Sequence, residues 1–98
     1  MKKNIYYILV SIDGATFRKR VSGYKIDDST MVYSLDHSKW VLVDVPTGAS
    51  MLSYYPETRS KTVEKYYEYY KLIEEVRATE SYHKGIERLN NTPLYPEF

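Results

Sequence analysis

From Ile5 to Ile12 the chain alternates so that Ile8, Val10 and Ile12 take one face and Tyr7 and Leu9 the other. The run meets Asp13-Gly14, two residues that tolerate the positive φ of a tight turn, which predicts a hairpin with a return strand over residues 15–21. There Ala15, Phe17 and Val21 share a face against Thr16, Arg18 and Arg20. Ser22-Gly23 predicts a bend or bulge, with residues 24–26 continuing the strand. After the polar turn Asp27-Asp28-Ser29-Thr30, residues 31–35 and 40–45 read as strands joined by Asp36-His37-Ser38-Lys39, and Pro46-Thr47-Gly48 leads into a fifth strand over residues 49–55. Pro56 ends the sheet.

From Thr58 or Ser60 the period changes from two to 3.6, with Val63, Tyr66, Tyr70 and Ile73 on one stripe, Tyr67 and Tyr69 beside it, and Lys61, Glu64, Glu68, Lys71 and Glu75 opposite. That phase does not carry to the end of the chain. Tyr82, Ile86 and Leu89 form a second stripe on nearly the opposite side, so a kink or break is expected near residues 78–81, with Gly85 counting against the second piece. The expected architecture is α+β: an antiparallel meander of about five strands (residues 5–55) packed on one long helix or two consecutive helices (residues 59–90). Residues 91–98 form an extended tail, and Leu94, Tyr95 and Phe98 are its candidates for docking.

The 98 residues leave room for one domain, and the apolar share is that of a folded protein. The absence of cysteine excludes disulfides, thiolate zinc sites and cysteine nucleophiles, and agrees with a reducing cytoplasm. Met1-Lys2-Lys3 and the apolar run after it resemble a signal peptide only superficially, because tyrosines interrupt the run and no small-residue cleavage site follows. No segment approaches the roughly 20 apolar residues of a membrane span, so a cytoplasmic protein with no membrane partner is expected.

Both faces of the first and fourth strands are apolar, Val41, Val43 and Val45 standing against Trp40 and Leu42. If the main helix covers one face, Tyr7, Leu9, Trp40 and Leu42 are left on the other as a partner or homodimer surface, unless the second helix or the tail covers them; the alternative is that these strands are central and buried on both sides. Tyrosine, at twelve residues against two Phe and one Trp, adds Tyr66, Tyr67, Tyr69 and Tyr70 as candidate anchors, with Tyr54-Tyr55 nearby. Net charge is only +1, yet Arg18, Lys19, Arg20 and Lys25 concentrate positive charge, and Tyr24 would be placed to stack on a base. His37 and His83 have no second ligand at metal spacing, Gly14, Gly23 and Gly48 lie at separate turns, and no acid and base pair is marked out. Neither a metal, nor a cofactor, nor an enzymatic reaction is expected.

In size, economy and aromatic surplus, and in the segment Trp40-Val41-Leu42-Val43-Asp44-Val45-Pro46-Thr47-Gly48 followed by a helix, the chain resembles small phage or mobile-element anti-defence proteins of the anti-CRISPR type. The resemblance implies a non-enzymatic inhibitor that occupies a larger host protein or ribonucleoprotein. The rival expectation is a nucleic-acid-binding accessory protein acting through the basic hairpin.

Overall fold

The computed structural model describes residues 2–96. Five antiparallel strands follow in chain order, β1 (Lys3–Ile12), β2 (Ala15–Asp27), β3 (Thr30–Asp36), β4 (Lys39–Asp44) and β5 (Ala49–Ser50), and they are neighbours in that same order. Three helices come after them: α1 (Arg59–Glu68), α2 (Tyr70–Arg77) and α3 (Glu80–Asn91). The expected α+β meander with C-terminal helices is what the chain forms.

Asp13 (φ 51°) and Gly14 (φ 81°) supply the tight turn, and β1 pairs β2 in unbroken register from Lys3↔Tyr24 to Ile12↔Ala15. β2 meets β3 only at Tyr24↔Val32, Lys25↔Met31 and Asp27↔Thr30. The rest of the β1–β2 arm is therefore free to fold over the sheet, and the sheet curls. Gly23 permits this bend, since a Cβ there would lie 2.7 Å from Met31 Sδ and 2.9 Å from the Val32 carbonyl. On the far side the Leu9 N–H donates to the Gly48 carbonyl at 3.0 Å, tying β1 to the β4–β5 turn.

The curl encloses one apolar cluster, Ile8, Met31, Val41 and Val43, with Tyr6, Val10, Val21, Tyr33 and Val45 around it. The opposite face carries Val32 and Leu42, and α1 lays Tyr66 on them. The helix thus covers the Trp40–Leu42 face rather than the valine face, and the curl covers the valines. Both apolar faces of β4 are used internally, whereas on β1 the Tyr7–Leu9 face stays partly exposed.

The predicted fifth strand over residues 49–55 shrinks to Ala49–Ser50. Met51 N–H still donates to the Leu42 carbonyl at 2.8 Å, but the next tie to β4 runs from Trp40 N–H to the Pro56 carbonyl at 2.8 Å. Four residues (52–55) then stand opposite one (Val41), so residues 52–55 leave the ladder. Thr58 caps α1, accepting from the Lys61 N–H at 3.1 Å. Tyr69 (φ −100°, ψ 13°) kinks the helix between α1 and α2. The expected break falls at Ala78–Thr79, where the Thr79 hydroxyl caps α3 by accepting from the Tyr82 N–H at 3.2 Å. The helical region is therefore three pieces, not one or two. Leu89 of α3 is buried where a Cβ on Gly48 would meet it, and Gly85 lies against Thr47.

The Tyr66 hydroxyl donates to Asp27 Oδ2, joining α1 to the β2–β3 turn. Burial pushes the Asp27 carboxyl up, but hydrogen bonds from Tyr66, Ser29 and Thr30 and the charge of Arg77 outweigh it and hold the group below the usual carboxylate range. A carboxylate depressed on folding lends stability above its unfolded pKa and loses it as pH falls through the folded value. Stability is expected to decline as pH falls below the ordinary carboxylate range, and Tyr66→Phe to flatten that acid limb while costing about 1.5–3 kcal/mol at neutral pH. Urea denaturation at stepped pH measures both.

Candidate functional site

The largest polar cluster among the described residues forms where β4 ends. Asp44 is 4% exposed, and both of its oxygens are occupied. Oδ1 accepts from Arg77 Nε at 2.9 Å, Arg77 Nη2 at 2.8 Å and the Tyr82 hydroxyl at 3.1 Å. Oδ2 accepts from the Thr47 hydroxyl at 2.7 Å and the Thr47 N–H at 3.2 Å. Arg77 Nη2 also donates to the Ser29 carbonyl at 2.9 Å and to Thr30 Oγ1 at 2.8 Å. The end of α2 and the start of α3 are thereby fixed to the sheet.

Burial lowers the Arg77 proton affinity, but its bonds to Asp44 and Tyr66 outweigh that and raise it. Burial, followed by the Asp44 charge, pushes the Tyr82 hydroxyl up, so it stays a protonated donor. The cluster is closed on itself, a neutral pair with its lone pairs filled, and it offers an incoming molecule a firm floor rather than a free acid or base.

Above this floor α2 and the segment 49–54 form the walls of a cleft of about 430 Å³. α2 contains no buried residue. Tyr69, Leu72, Ile73 and Val76 fall at helical spacing along the cleft, and Tyr69 (40%), Leu72 (57%) and Val76 (52%) stand exposed, as does Tyr54 on the opposite wall. Apolar walls over a small set of fixed polar groups are typical of a binding cleft.

The tyrosines expected to act as anchors divide. Tyr66 is core, 1% exposed, and has no surface to offer; Tyr67, Tyr69 and Tyr70 remain exposed, the rings of Tyr67 and Tyr70 lying 5.3 and 5.7 Å from that of Tyr66. Leu42 is fully buried beneath Tyr66, and Trp40 is half-buried against Tyr24, because α1 covers their face. Leu42 has no surface to offer a partner, and Trp40 keeps part of its surface exposed.

Tyr7 and Leu9 lie on the outer face of the β1–β2 arm directly opposite Arg20 and Arg18. The expected apolar and basic sites are thus one surface. The Arg18 guanidinium sits 5.0 Å from the Tyr7 ring centre. Lys19, on the other face of β2, lies 5.8 Å from the Tyr95 ring. Lys25 is ion-paired with Asp28 at 2.7 Å, and Tyr24 is covered by Arg59 at 4.5 Å and Lys3 at 5.9 Å. The Tyr24 ring thus already carries cations, and of the basic residues Arg18 and Arg20 share one hollow while Lys19 and Lys25 lie elsewhere.

Leu72, Val76, Arg77 and Tyr82 entered no sequence-based site. Tyr69, Leu72, Ile73 and Val76 at i, i+3, i+4 and i+7 carried a legible signal for the first two, obscured by phasing the helix on Tyr66 and Tyr70. Among the described residues no group of three or more His, Cys, Asp or Glu is placed to hold a metal ion, and no helix is long and apolar enough to cross a membrane. Comparison with protein-family models, curated proteins and solved structures finds no match.

Proposed function

We propose that this is a non-enzymatic binding protein that occupies a surface of a larger protein, with the α2 cleft as its docking surface. The observation that carries the reading is the exposed stripe Tyr69, Leu72 and Val76 on a helix with no fully buried residue, held over a rigid Asp44–Arg77–Tyr82 floor. A tyrosine such as Tyr69 on a fixed support is the kind of anchor that carries interface energy, with apolar neighbours such as Leu72 and Val76 excluding water around it. The resemblance to anti-defence proteins would make that occupancy inhibitory.

The test is affinity capture from nuclease-treated host lysate, comparing the natural chain with a Leu72→Asp, Val76→Asp variant. Both positions are exposed, so the variant is expected to lose only about 1 kcal/mol of stability and to keep its circular dichroism. It is expected to lose the captured protein. Equal capture by the folded variant would remove the cleft from the reading, and capture that disappears on nuclease treatment would favour nucleic acid.

A further inference from the structure

Beyond the cleft, β2 has an open side. In an antiparallel strand, alternate residues turn both N–H and C=O to the same edge. Leu9 turns its N–H to Gly48, away from β2, and its partner Arg18 correspondingly turns its backbone groups away from β1. Thr16 and Ser22 face the same way by alternation, and β3 does not begin pairing with β2 until Tyr24.

Part of this edge has a resident. Past Thr92 the chain is extended and lies parallel to β2, the Arg18 N–H donating to the Pro93 carbonyl at 2.8 Å and the Tyr95 N–H to the Arg18 carbonyl at 2.9 Å. The Tyr95 ring meets Phe17 edge-on with centres 5.7 Å apart, while Leu94 stays 53% exposed. Tyr7, Arg18, Arg20, Leu94 and Tyr95 line a hollow of about 220 Å³. Among the described residues Arg18 Nε is buried without an acceptor, and residues 93–95 do not supply one.

We propose that the β2 edge at Arg18 is a peptide-binding edge for an extended, acidic partner segment carrying a leucine-aromatic pair, and that residues 93–95 are its resident occupant. Backbone pairing supplies the affinity and the Tyr95 seat on Phe17 the selectivity, as in other strand-addition modes. Arg18 and Lys19 on this strand favour negative charge in the incoming segment, and an acceptor within it would satisfy Arg18 Nε. Among the described residues, two backbone bonds, the Phe17 ring contact and Lys19 over the Tyr95 ring hold the segment, few enough for a competing strand to displace it.

The probe is a fluorescein-labelled peptide of residues 91–96, made with an aspartate pair or a lysine pair appended. It is titrated by anisotropy against the full chain and against full-length Leu94→Ser, Tyr95→Ser. The aspartate peptide is expected to bind the variant saturably, to bind the natural chain about tenfold more weakly because the tethered tail competes, and to shift the Arg18 backbone amide in NMR spectra. The lysine peptide is expected to bind more weakly than the aspartate form, and Arg18→Glu in the same background to reverse that order. Leu72→Asp is expected to change neither titration, which separates this site from the cleft. No saturable binding to a folded variant, or a single-stranded oligonucleotide taking the edge in place of the peptide, would overturn the proposal.

Discussion

Arg77→Leu is expected to destabilise the protein by about 3–4 kcal/mol, the largest effect of any substitution outside the apolar core. The leucine fills much of the same space, so the loss is electrostatic. Asp44, 4% exposed, would keep only Thr47 and Tyr82 as donors, and the Ser29 carbonyl and Thr30 hydroxyl would lose the guanidinium as well. A buried carboxylate stripped of its counter-charge costs far more than the intact pair contributes. Asp44→Asn combined with Arg77→Leu is therefore expected to recover part of the deficit, and the non-additivity in urea denaturation is the measurement that decides. A purely additive pair would mean that Arg77 acts through packing alone.

Gly48→Ala is expected to cost about 2–3 kcal/mol, from two sources that add at one atom. Gly48 has φ 68°, where an alanine Cβ crowds the backbone, and that Cβ would stand 2.9 Å from Leu89 Cδ1 and 3.2 Å from the Leu9 nitrogen. The first contact pushes α3 off the sheet. The second strains the Leu9–Gly48 bond that closes the curl. Leu89→Ala in the same background is expected to relieve the first contact only, so thermal denaturation of the double variant should recover part of the loss beyond the sum of the singles.

Much of the fold was legible because local chemistry and burial agree. Asp13-Gly14 demanded a hairpin, the two-residue alternation assigned the valine and Trp40–Leu42 faces of β4 correctly, and the phase conflict between Tyr66 and Tyr82 located the break after α2. Closure was not legible. Alternation says that a strand is apolar on both sides without saying whether a helix, a fold of the same sheet or a partner covers each side, and here Ile8 packs against Val41 through a curl that depends on Gly23 and Gly48. Gly85 illustrates the same gap. By propensity it weakens α3, yet its missing side chain is what lets the helix approach Thr47.

The candidate site was harder to read because its parts are scattered. Asp44, Arg77 and Tyr82 are far apart in sequence, and an arginine at the end of a helix ordinarily reads as a favourable solvated charge. Its role appears only once the β4 terminus lies beneath it. The tyrosine pairs drew attention to α1, whose ring at Tyr66 serves the interior, whereas the apolar residues left over sit one turn beyond the kink on α2.

That kink separates two kinds of constraint along a single stretch of helix. Residues before it are answerable to the fold, while positions 72 and 76 after it are answerable only to whatever they touch. Substitutions there can accumulate with little loss of folding, so this face is free to diverge in sequence while the sheet and α1 beneath it stay fixed.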